Sequence, residues 1–242
     1  MTATRVFTAL LGLALGLVGP VPLLAQTPPP GQQGEQLPAY KPPPRGAPGG
    51  RVGGASRGTY RPAVPPPTIE VLAPKDQTGL SASPTPTLYF FVSGPVSWPT
   101  QLTISAPNQV VPVIEVNIPA PRAAGVYGID VAEYHVRLQP GIVYTWSVSA
   151  ILDPTARSRD IAASASLLLG RPDPAVENAV RIASPARRAA LYAQAGFWYD
   201  AVAAAAESGP FDRDAALDAL MNEVGLVEPG YDRRAVGTAA AR

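Results

Sequence analysis

A strict alternation of side chains from position 144 to position 150 restricts the fold of this chain more than any other feature. Apolar or aromatic residues stand at 144, 146, 148 and 150, and hydroxyl-bearing residues stand at 145, 147 and 149. A period of two predicts a β-strand with one face in a hydrophobic core and the other in water. Pro140 and Gly141 just before it predict a turn. The middle of the chain is therefore predicted to form β-sheets.

The residues around this turn also form a corner motif. Leu138, Pro140, Gly141 and Tyr144 have the spacing Leu-x-Pro-Gly-x-x-Tyr. This spacing resembles the corner of immunoglobulin-like and fibronectin-type sandwiches, where a Tyr at the start of a central strand bonds through its hydroxyl to the preceding connection. We expect Tyr144 to be a structural anchor and Trp146 to lie on the same buried face.

Short β-rich runs separated by turn residues extend from residue 68 to residue 170. They predict an immunoglobulin- or fibronectin-like β-sandwich of about seven strands. Residues 73–79 are predicted to be a turn, and Pro112 places its strand at a sheet edge or a bulge. The predicted strands are 68–72, 87–92, 102–105, 110–118, 126–132, the Tyr144 strand and 157–169.

From residue 171 to residue 227 the pattern predicts a three-helix layer packed on the sandwich. Asp173-Pro174 and Ser184-Pro185 each pair a capping side chain with a proline at the first helical position. Asp212 is a candidate cap for a further helix. The remaining segment, 228–242, is predicted to be a flexible tail because it has no apolar period.

The helical region contains one short motif, from Tyr192 to Ala201. It is similar to half of a tetratricopeptide repeat: an aromatic residue four positions before Gly196, Trp198 two positions after it, and a small residue three beyond that. Gly196 is predicted to end a helix in left-handed geometry. Since one repeat cannot bury its own apolar face, we expect a packing layer rather than a solenoid. Tyr192, Gly196 and Trp198 are its predicted anchors.

Residues 1–25 have the pattern of a secretory signal peptide. Arg5 gives the charged start, Val6 to Val18 is an apolar run of thirteen residues, and Ala25 precedes the predicted cleavage point. An uncleaved N-terminal anchor is the alternative, although the run is shorter than the roughly 20 residues that span a bilayer. Either interpretation predicts an exported body, in the periplasm or at the cell surface, with no transmembrane domain after cleavage.

Residues 26–67 are predicted to be a disordered, basic linker. They contain twelve Pro and eight Gly in forty-two residues, with five basic side chains against one acidic one, whereas 68–242 carries thirteen basic and seventeen acidic residues. Such a composition cannot bury enough surface to offset the entropy of ordering. The segment is either a solvated linker or a tether that crosses or binds an acidic wall polymer.

The composition narrows the chemistry available to this chain. It contains no Cys and a single His, with a net charge of +1. These numbers exclude disulfides, thiolate metal sites and a lipoprotein anchor, and they argue against a nucleic-acid partner. A triad of His135 with Asp130 or Glu133 lacks a Gly-x-Ser-x-Gly elbow. We therefore predict no catalytic residue, no cofactor and no metal.

Two groups of charged residues were candidates for chemistry. Paired carboxylates of the glycosidase type could come from four acids, although solvated loop charges are the simpler interpretation. In the second group, Arg–carboxylate pairs are expected to hold the loop between the last two strands, with anion recognition as the alternative. The first group is Glu70, Asp76, Glu115 and Asp153, and the second is Asp153, Arg157, Arg159 and Asp160.

Aromatic residues provide the clearest binding signal. Tyr89 and Phe91 share one face of a predicted strand, and Trp98 lies in the next loop. Together they form a candidate ligand or partner surface on which a sugar ring could stack. The alternative is that Trp198 and its helices cover them.

Three segments, taken in order, resemble an uncharacterised bacterial family common in cyanobacteria, domain of unknown function 928. The resemblance extends from about Ile69 to Leu226 and implies an exported protein of unassigned activity, with no catalytic residue to carry over. The segments are Leu72-Ala-Pro with Gly79-Leu80 and Pro84-x-Pro-Thr87; Tyr144-x-Trp146-Ser147 with Asp153 and Arg157-Ser-Arg-Asp160; and Leu191-Tyr192-Ala-x-Ala-Gly196-x-Trp198-Tyr-Asp200-Ala201.

These observations favour an exported, non-enzymatic interaction module of the cell envelope. Its partner would be another envelope protein or a wall polysaccharide. Two alternatives remain at this stage: a hydrolase of envelope polysaccharides, which requires acids from different loops to converge in a cleft, and a purely structural spacer, which requires no concave or aromatic surface.

Overall fold

The computed structural model describes residues 37–43, 52 and 66–226, together with the backbone of 236–238. The predicted signal peptide, residues 1–25, lies outside these residues, as does most of the predicted linker. Within them the chain forms nine β-strands and four α-helices, with all but the last strand preceding the helices. The architecture is mainly β with a C-terminal α region.

The strands form two sheets that contribute to one hydrophobic core. They are β1 (Ile69–Val71), β2 (Gly79–Ser81), β3 (Thr87–Val92), β4 (Thr100–Ser105), β5 (Ile114–Ile118), β6 (Gly125–Asp130), β7 (Val143–Ala150), β8 (Ile161–Leu169) and β9 (Val236–Thr238). One sheet has the order β1-β3-β6-β9 and the other β2-β8-β7-β4-β5. The pairs β2–β8 and β6–β9 are parallel, and the others are antiparallel.

Strand β7 lies in the middle of the larger sheet, between β4 and β8. Tyr144 is 3% exposed and Trp146 is fully buried, whereas Thr145 between them is exposed, so the predicted alternation is present. Ser149 departs from it because it is buried. The Tyr144 hydroxyl accepts a hydrogen bond of 3.0 Å from the backbone N–H of Gln139. This is the bond that the corner motif predicts.

The body contains eight strands, not seven, because residues 73–79 are not all turn. Gly79 starts the short strand β2, which pairs with Leu167–Leu169 of β8. Three residues are too few to show an alternation in sequence. The predicted fourth strand begins at Ile114 instead of Val110, and the side chains of Val110 and Val111 project into water from the β4–β5 connection.

Two predicted strands are shortened by 3₁₀ turns. Residues 131–134 form one turn, where the Asp130 carboxylate accepts a hydrogen bond from the N–H of Ala132 at 2.9 Å. Residues 157–159 form the other, so β8 starts at Ile161 rather than at Arg157. At the first of these turns, the hydrogen bond from the Asp130 side chain to nearby backbone competes with the sheet.

Four α-helices follow the strands, not three. They are α1 (Pro174–Ile182), α2 (Pro185–Gln194), α3 (Trp198–Ala206) and α4 (Pro210–Glu223). Asp173 and Ser184 cap α1 and α2 as predicted, each accepting a backbone N–H two or three residues later. None of the helices in the described part of the chain is long and apolar enough to cross a membrane.

The helix boundaries after α2 correct the sequence interpretation. Gly196 has φ +84° and separates α2 from α3, so the left-handed geometry predicted for it is confirmed. The Tyr192–Ala201 motif therefore spans two helices. Helix α4 starts at Pro210 with Gly209 as its N-cap, and Asp212 lies in its first turn. Proline starts the helix earlier than the acidic cap because its fixed φ suits the first helical position.

The N-terminal and C-terminal segments contain structure that composition did not predict. Within the predicted disordered linker, the Tyr40 side chain is 7% exposed and packs edge-on against Trp198. Val52 exchanges two backbone hydrogen bonds, 2.8 and 3.0 Å, with Ser164 of β8. Within the predicted tail, Val236–Thr238 pair with β6. Composition averages over a segment, whereas one aromatic ring or a few backbone pairs suffice to order part of it.

Candidate functional site

Trp98 stands in a concave surface formed by the loop between β3 and β4. The concavity has a volume of about 600 Å³, and none of the described residues that line it is charged. Trp98 is half-buried, in contrast to Trp146 and Trp198, which are fully buried. The lining residues are Pro66, Pro67, Ser93, Gly94, Pro95, Ser97 and Trp98.

Hydrogen bonds from backbone and side-chain groups hold this loop in place. Ser93 bonds twice to Thr68, once through its N–H to the Thr68 carbonyl and once through its hydroxyl to the Thr68 N–H. The N–H of Val96 donates to the carbonyl of Pro121 at 2.8 Å. The hydroxyl of Thr100 donates to the carbonyl of Trp98 itself at 3.3 Å. The indole is thus presented on a braced loop, which lowers the entropy lost when a ligand binds.

Tyr89 and Phe91, the other two residues of the predicted aromatic surface, do not accompany Trp98. Phe91 is 6% exposed. Tyr89 is half-buried, and its pKa is raised to about 12 by burial and, less strongly, by the charges of Glu207 and Asp130. Glu207 follows α3, which contacts β3. Helix α3 therefore lies beside this strand. Of the three residues predicted to form the aromatic surface, Trp98 is the one that lines the concavity.

His135 and Asp130, one of its proposed triad partners, lie at opposite ends of the 3₁₀ turn at residues 131–134. It is exposed, with φ +56°, directly after the 3₁₀ turn at 131–134. The Asp130 carboxylate is used as the cap of that turn. In the described ranges, no three His, Asp or Glu side chains are grouped so as to hold a metal ion.

The four candidate glycosidase acids lie in four different parts of the fold. Glu70 is on β1 of one sheet and Glu115 is on β5 of the other, where its carboxylate accepts a hydrogen bond from Gln101. Asp76 lies between β1 and β2, and Asp153 lies between β7 and β8. This dispersal provides no support for a paired-carboxylate mechanism.

The Arg and Asp side chains after β7 pair with one another. Arg157 donates to Asp160 at 2.5 Å and to the side-chain carbonyl of Gln101 on β4 at 2.8 Å. Arg159 donates to Asp153 at 3.2 Å. The pKa of Asp153 is lowered, first by the hydroxyl and N–H of Thr155 and then by Arg159. These contacts match the predicted Arg–carboxylate pairs between the last two strands.

Comparison with protein-family models shows which family the chain belongs to. The model of the family described as Domain of Unknown Function (DUF928) matches residues 52–229, which is most of the sequence. The chain belongs to this family. No curated protein and no solved structure matches it. The DUF928 region begins at Val52 and ends after α4, so it includes strands β1 to β8 and all four helices that the structure describes, whereas β9 lies beyond it.

A buried polar chain joins the two halves of this DUF928 domain. Trp146 on β7 donates its indole N–H to the hydroxyl of Tyr199 on α3, and that hydroxyl donates to the carbonyl of Ser166 on β8. Burial raises the pKa of the Tyr199 phenol well above its usual range, so it remains a hydrogen-bond donor. Trp198, a predicted anchor, donates its indole N–H to the carbonyl of Leu72 at 2.9 Å.

Asp200 forms a second link between the helices and the sheet in the DUF928 domain. Its carboxylate accepts a hydrogen bond of 2.7 Å from the N–H of Ala82, directly after β2. Burial raises its pKa from 3.8 to about 6, and hydrogen bonds from Ser81, Ala82 and Ser83 partly oppose that shift. Sequence inspection placed Asp200 in a motif without a role, because the residues that surround it lie more than a hundred positions away.

Proposed function

We propose that this protein is an exported, non-enzymatic interaction module of the cell envelope, and that its ligand binds in the concavity at Trp98. The observation that carries the proposal is the combination of an accessible indole with an uncharged lining of prolines, serines and glycine. A flat apolar floor beside hydroxyl groups suits the face of a neutral sugar ring. A wall polysaccharide is therefore the favoured ligand, and another envelope protein is the alternative.

We infer an immunoglobulin-like sandwich as the framework that presents this loop. The inference is supported by the strand order β1-β3-β6 beside β2-β8-β7-β4-β5, in which the first part of the chain contributes one strand to each sheet. It is also supported by the hydrogen bond from Gln139 to the Tyr144 hydroxyl. In this interpretation α2 and α3 are a single tetratricopeptide-like hairpin that packs on the sheets.

Export is the second part of the proposal. It rests on the signal-peptide pattern of residues 1–25, followed by a Pro- and Gly-rich basic segment. The periplasm or the cell surface is the compartment that this pattern favours. A fusion of residues 1–40 to a reporter enzyme that is active only outside the cytoplasm tests export independently of ligand binding.

Ligand binding is tested with full-length protein and its Trp98→Ala variant. Of the three tryptophans, two are fully buried, so fluorescence changes on titration with soluble wall oligosaccharides report mainly on Trp98. We expect wild type to show a saturable change and to co-sediment with insoluble wall polysaccharide, and Trp98→Ala to lose both. Phe211→Ala is the matched control because Phe211 is 92% exposed on α4 and is not among the residues that line the concavity.

The outcomes separate the alternatives. If wild type binds an envelope protein but no glycan, and Trp98→Ala loses that binding, the ligand of the Trp98 concavity is the protein. Equal binding by wild type and Trp98→Ala would contradict the site. Absence of both glycan binding and specific co-purification from the envelope would leave the interaction function without support.

A further inference from the structure

The segment Leu37–Pro43 lies against the α2–α3 hairpin in the manner of a bound peptide. The ring of Tyr40 packs edge-on against Trp198, with centroids 5.0 Å apart and an interplanar angle of 79°. The Tyr40 hydroxyl accepts a hydrogen bond from the side-chain amide of Gln77 at 3.2 Å. Pro38 is also buried, whereas Leu37 and Ala39 are exposed. Alternate residues thus face the body and the solvent.

The backbone of this segment is recognised as well as its ring. The N–H of Lys41 donates to the carbonyl of Ala193 in the last turn of α2 at 3.0 Å. That carbonyl also accepts a hydrogen bond from the N–H of Gly196 at 3.1 Å, so Lys41 is its second donor. Gly196 forms the floor, because a Cβ there would lie 3.1 Å from the Lys41 carbonyl oxygen and 3.2 Å from Pro43.

These contacts have the elements of polyproline-type peptide recognition. They combine an aromatic pocket for one side chain, a backbone hydrogen bond, and a glycine that allows close approach of a proline-rich backbone. The groove does not end at the docked residues. A concavity of about 500 Å³ continues past Tyr40 and Pro42 between the β1–β2 loop and the end of α4, lined by Pro74, Lys75, Asp76, Gln77, Glu223, Val224 and Gly225.

The groove lies within the part of the chain that matches the family, and its occupant lies outside that part. The residues that form the groove fall within the matched range 52–229, whereas Leu37–Pro43 precede it. Residues 44–51 separate the occupant from Val52, which pairs with Ser164 of β8, so the occupant is joined to the domain through a short covalent link. A link of this kind gives an effective concentration on the order of millimolar, which makes the segment an intramolecular competitor for any other ligand of the groove.

We propose that the groove between the α2–α3 turn and the β1–β2 loop is a peptide-binding site for extended segments in which a tyrosine lies between prolines, and that Leu37–Pro43 occupies it as a built-in competitor. The partner is a protein that carries a segment of this type. Its tyrosine takes the place of Tyr40 on Trp198, and its backbone N–H takes the place of Lys41 on Ala193. This site is separate from the Trp98 concavity.

The probe is a fluorescein-labelled peptide with the sequence of residues 35–45, and the proteins are the full-length chain and its Tyr40→Ala variant. We expect Tyr40→Ala to bind the peptide with a saturable rise in anisotropy, and wild type to bind it at least tenfold more weakly because its own segment competes. Leu37→Ala is the matched control, since Leu37 is exposed in the same segment, and should behave as wild type. A peptide with alanine in place of its tyrosine should not bind.

Two results would overturn the proposal. One is a folded Tyr40→Ala protein that does not bind the peptide, and the other is equal binding by wild type and Tyr40→Ala. Where Tyr40→Ala does not fold, Lys41→Pro replaces it, because it removes the N–H that bonds to Ala193. In wild type, excess unlabelled peptide should also accelerate amide hydrogen exchange at Lys41, and an unchanged rate would assign the contact to internal packing alone. Trp98→Ala should leave all of these measurements unchanged.

Discussion

The indole N–H of Trp146 donates a 2.8 Å hydrogen bond to the hydroxyl of Tyr199, fifty-three residues later in the chain. Both side chains are buried, and the same hydroxyl donates to Ser166 on β8. Gly79 on β2 makes room for the ring, since a Cβ there would lie 2.7 Å from Tyr199 Cε2. The helical layer is therefore joined to the larger sheet through a polar chain inside the core.

Replacement of Tyr199 by Phe tests this connection. The change leaves the Trp146 N–H without its partner and removes a donor from the Ser166 carbonyl, within a site that water does not reach. Because an unpaired buried polar group costs roughly 1–3 kcal/mol, we expect the free energy of unfolding to fall by about 2–3 kcal/mol in urea titrations.

Tyr134→Phe is the control for removal of a hydroxyl. The Tyr134 hydroxyl is buried and has no hydrogen-bond partner among the described residues, so its loss should change the free energy of unfolding by less than about 0.5 kcal/mol or should increase it. Equal losses in Tyr199→Phe and Tyr134→Phe would mean that the Trp146–Tyr199 bond contributes nothing specific.

Asp200 should make stability depend on pH. Its pKa is raised from 3.8 in the unfolded chain to about 6 in the fold, so between these values the folded state holds a proton that the unfolded state has released. The free energy of unfolding therefore falls as pH rises through this window and levels off above it. A shift of about two units corresponds to about 3 kcal/mol.

Urea titrations between pH 4 and pH 7 measure this effect against two variants. Asp200→Asn should lose the fall, because its amide carbonyl still accepts from Ala82 and carries no charge. Asp153→Asn tests the opposite sign: the pKa of Asp153 is lowered, so its stabilisation is present at neutral pH and is lost as pH falls. An Asp200→Asn protein with the same pH slope as wild type would refute the assignment.

Gly196→Ala should lower the free energy of unfolding by more than the positive φ of this residue alone explains. Gly196 and Gly141 both have positive φ, +84° and +79°, but an added Cβ meets the Lys41 carbonyl only at Gly196. We expect Gly141→Ala to lose about 1 kcal/mol and Gly196→Ala about 2–3 kcal/mol in urea titrations. The difference should shrink in a Tyr40→Ala background, where the docked segment is released. A difference of the same size in that background would argue against close approach of the segment.

Tyr144→Phe tests the corner hydrogen bond. The change removes the acceptor for the Gln139 N–H at the start of β7, and we expect a loss of about 1–2 kcal/mol in thermal or urea unfolding. The hydroxyl of Tyr127 donates to an exposed loop carbonyl, Ala123, which water can satisfy. Tyr127→Phe should therefore lose less than about 0.5 kcal/mol, and an order reversed between the two variants would contradict the anchoring role of Tyr144.

Local sequence patterns were sufficient to predict those features of the fold that depend on residues close together in the chain. The strand at Tyr144, the corner bond, the helix caps at Asp173 and Ser184, and the left-handed Gly196 all appear as predicted. Each rests on side-chain alternation, capping or backbone geometry within a few positions. Local patterns were insufficient for β2, because its pairing with β8 involves a partner almost ninety residues away.

The candidate sites depended even more on distant contacts. Tyr89, Phe91 and Trp98 are close in sequence, but Phe91 is buried, Tyr89 is half-buried, and only Trp98 of the three lines the concavity. Tyr40 lies in a segment whose composition indicates disorder, and Trp198, more than 150 residues later, buries it. Neither outcome has a signal in the local sequence.

The sequence by itself determined that most β-strands precede the helices in this chain, where a central strand buries one face, and that cysteine-dependent chemistry is excluded. These properties follow from composition and short-range periodicity, which act before the chain is compact. Only the tertiary structure decided which aromatic ring lines a concavity, how Asp200 and Tyr199 join helix to sheet, and that Tyr40 of the N-terminal segment packs against Trp198. Burial and buried hydrogen bonding are properties of neighbours in space, and those neighbours come from remote parts of the chain.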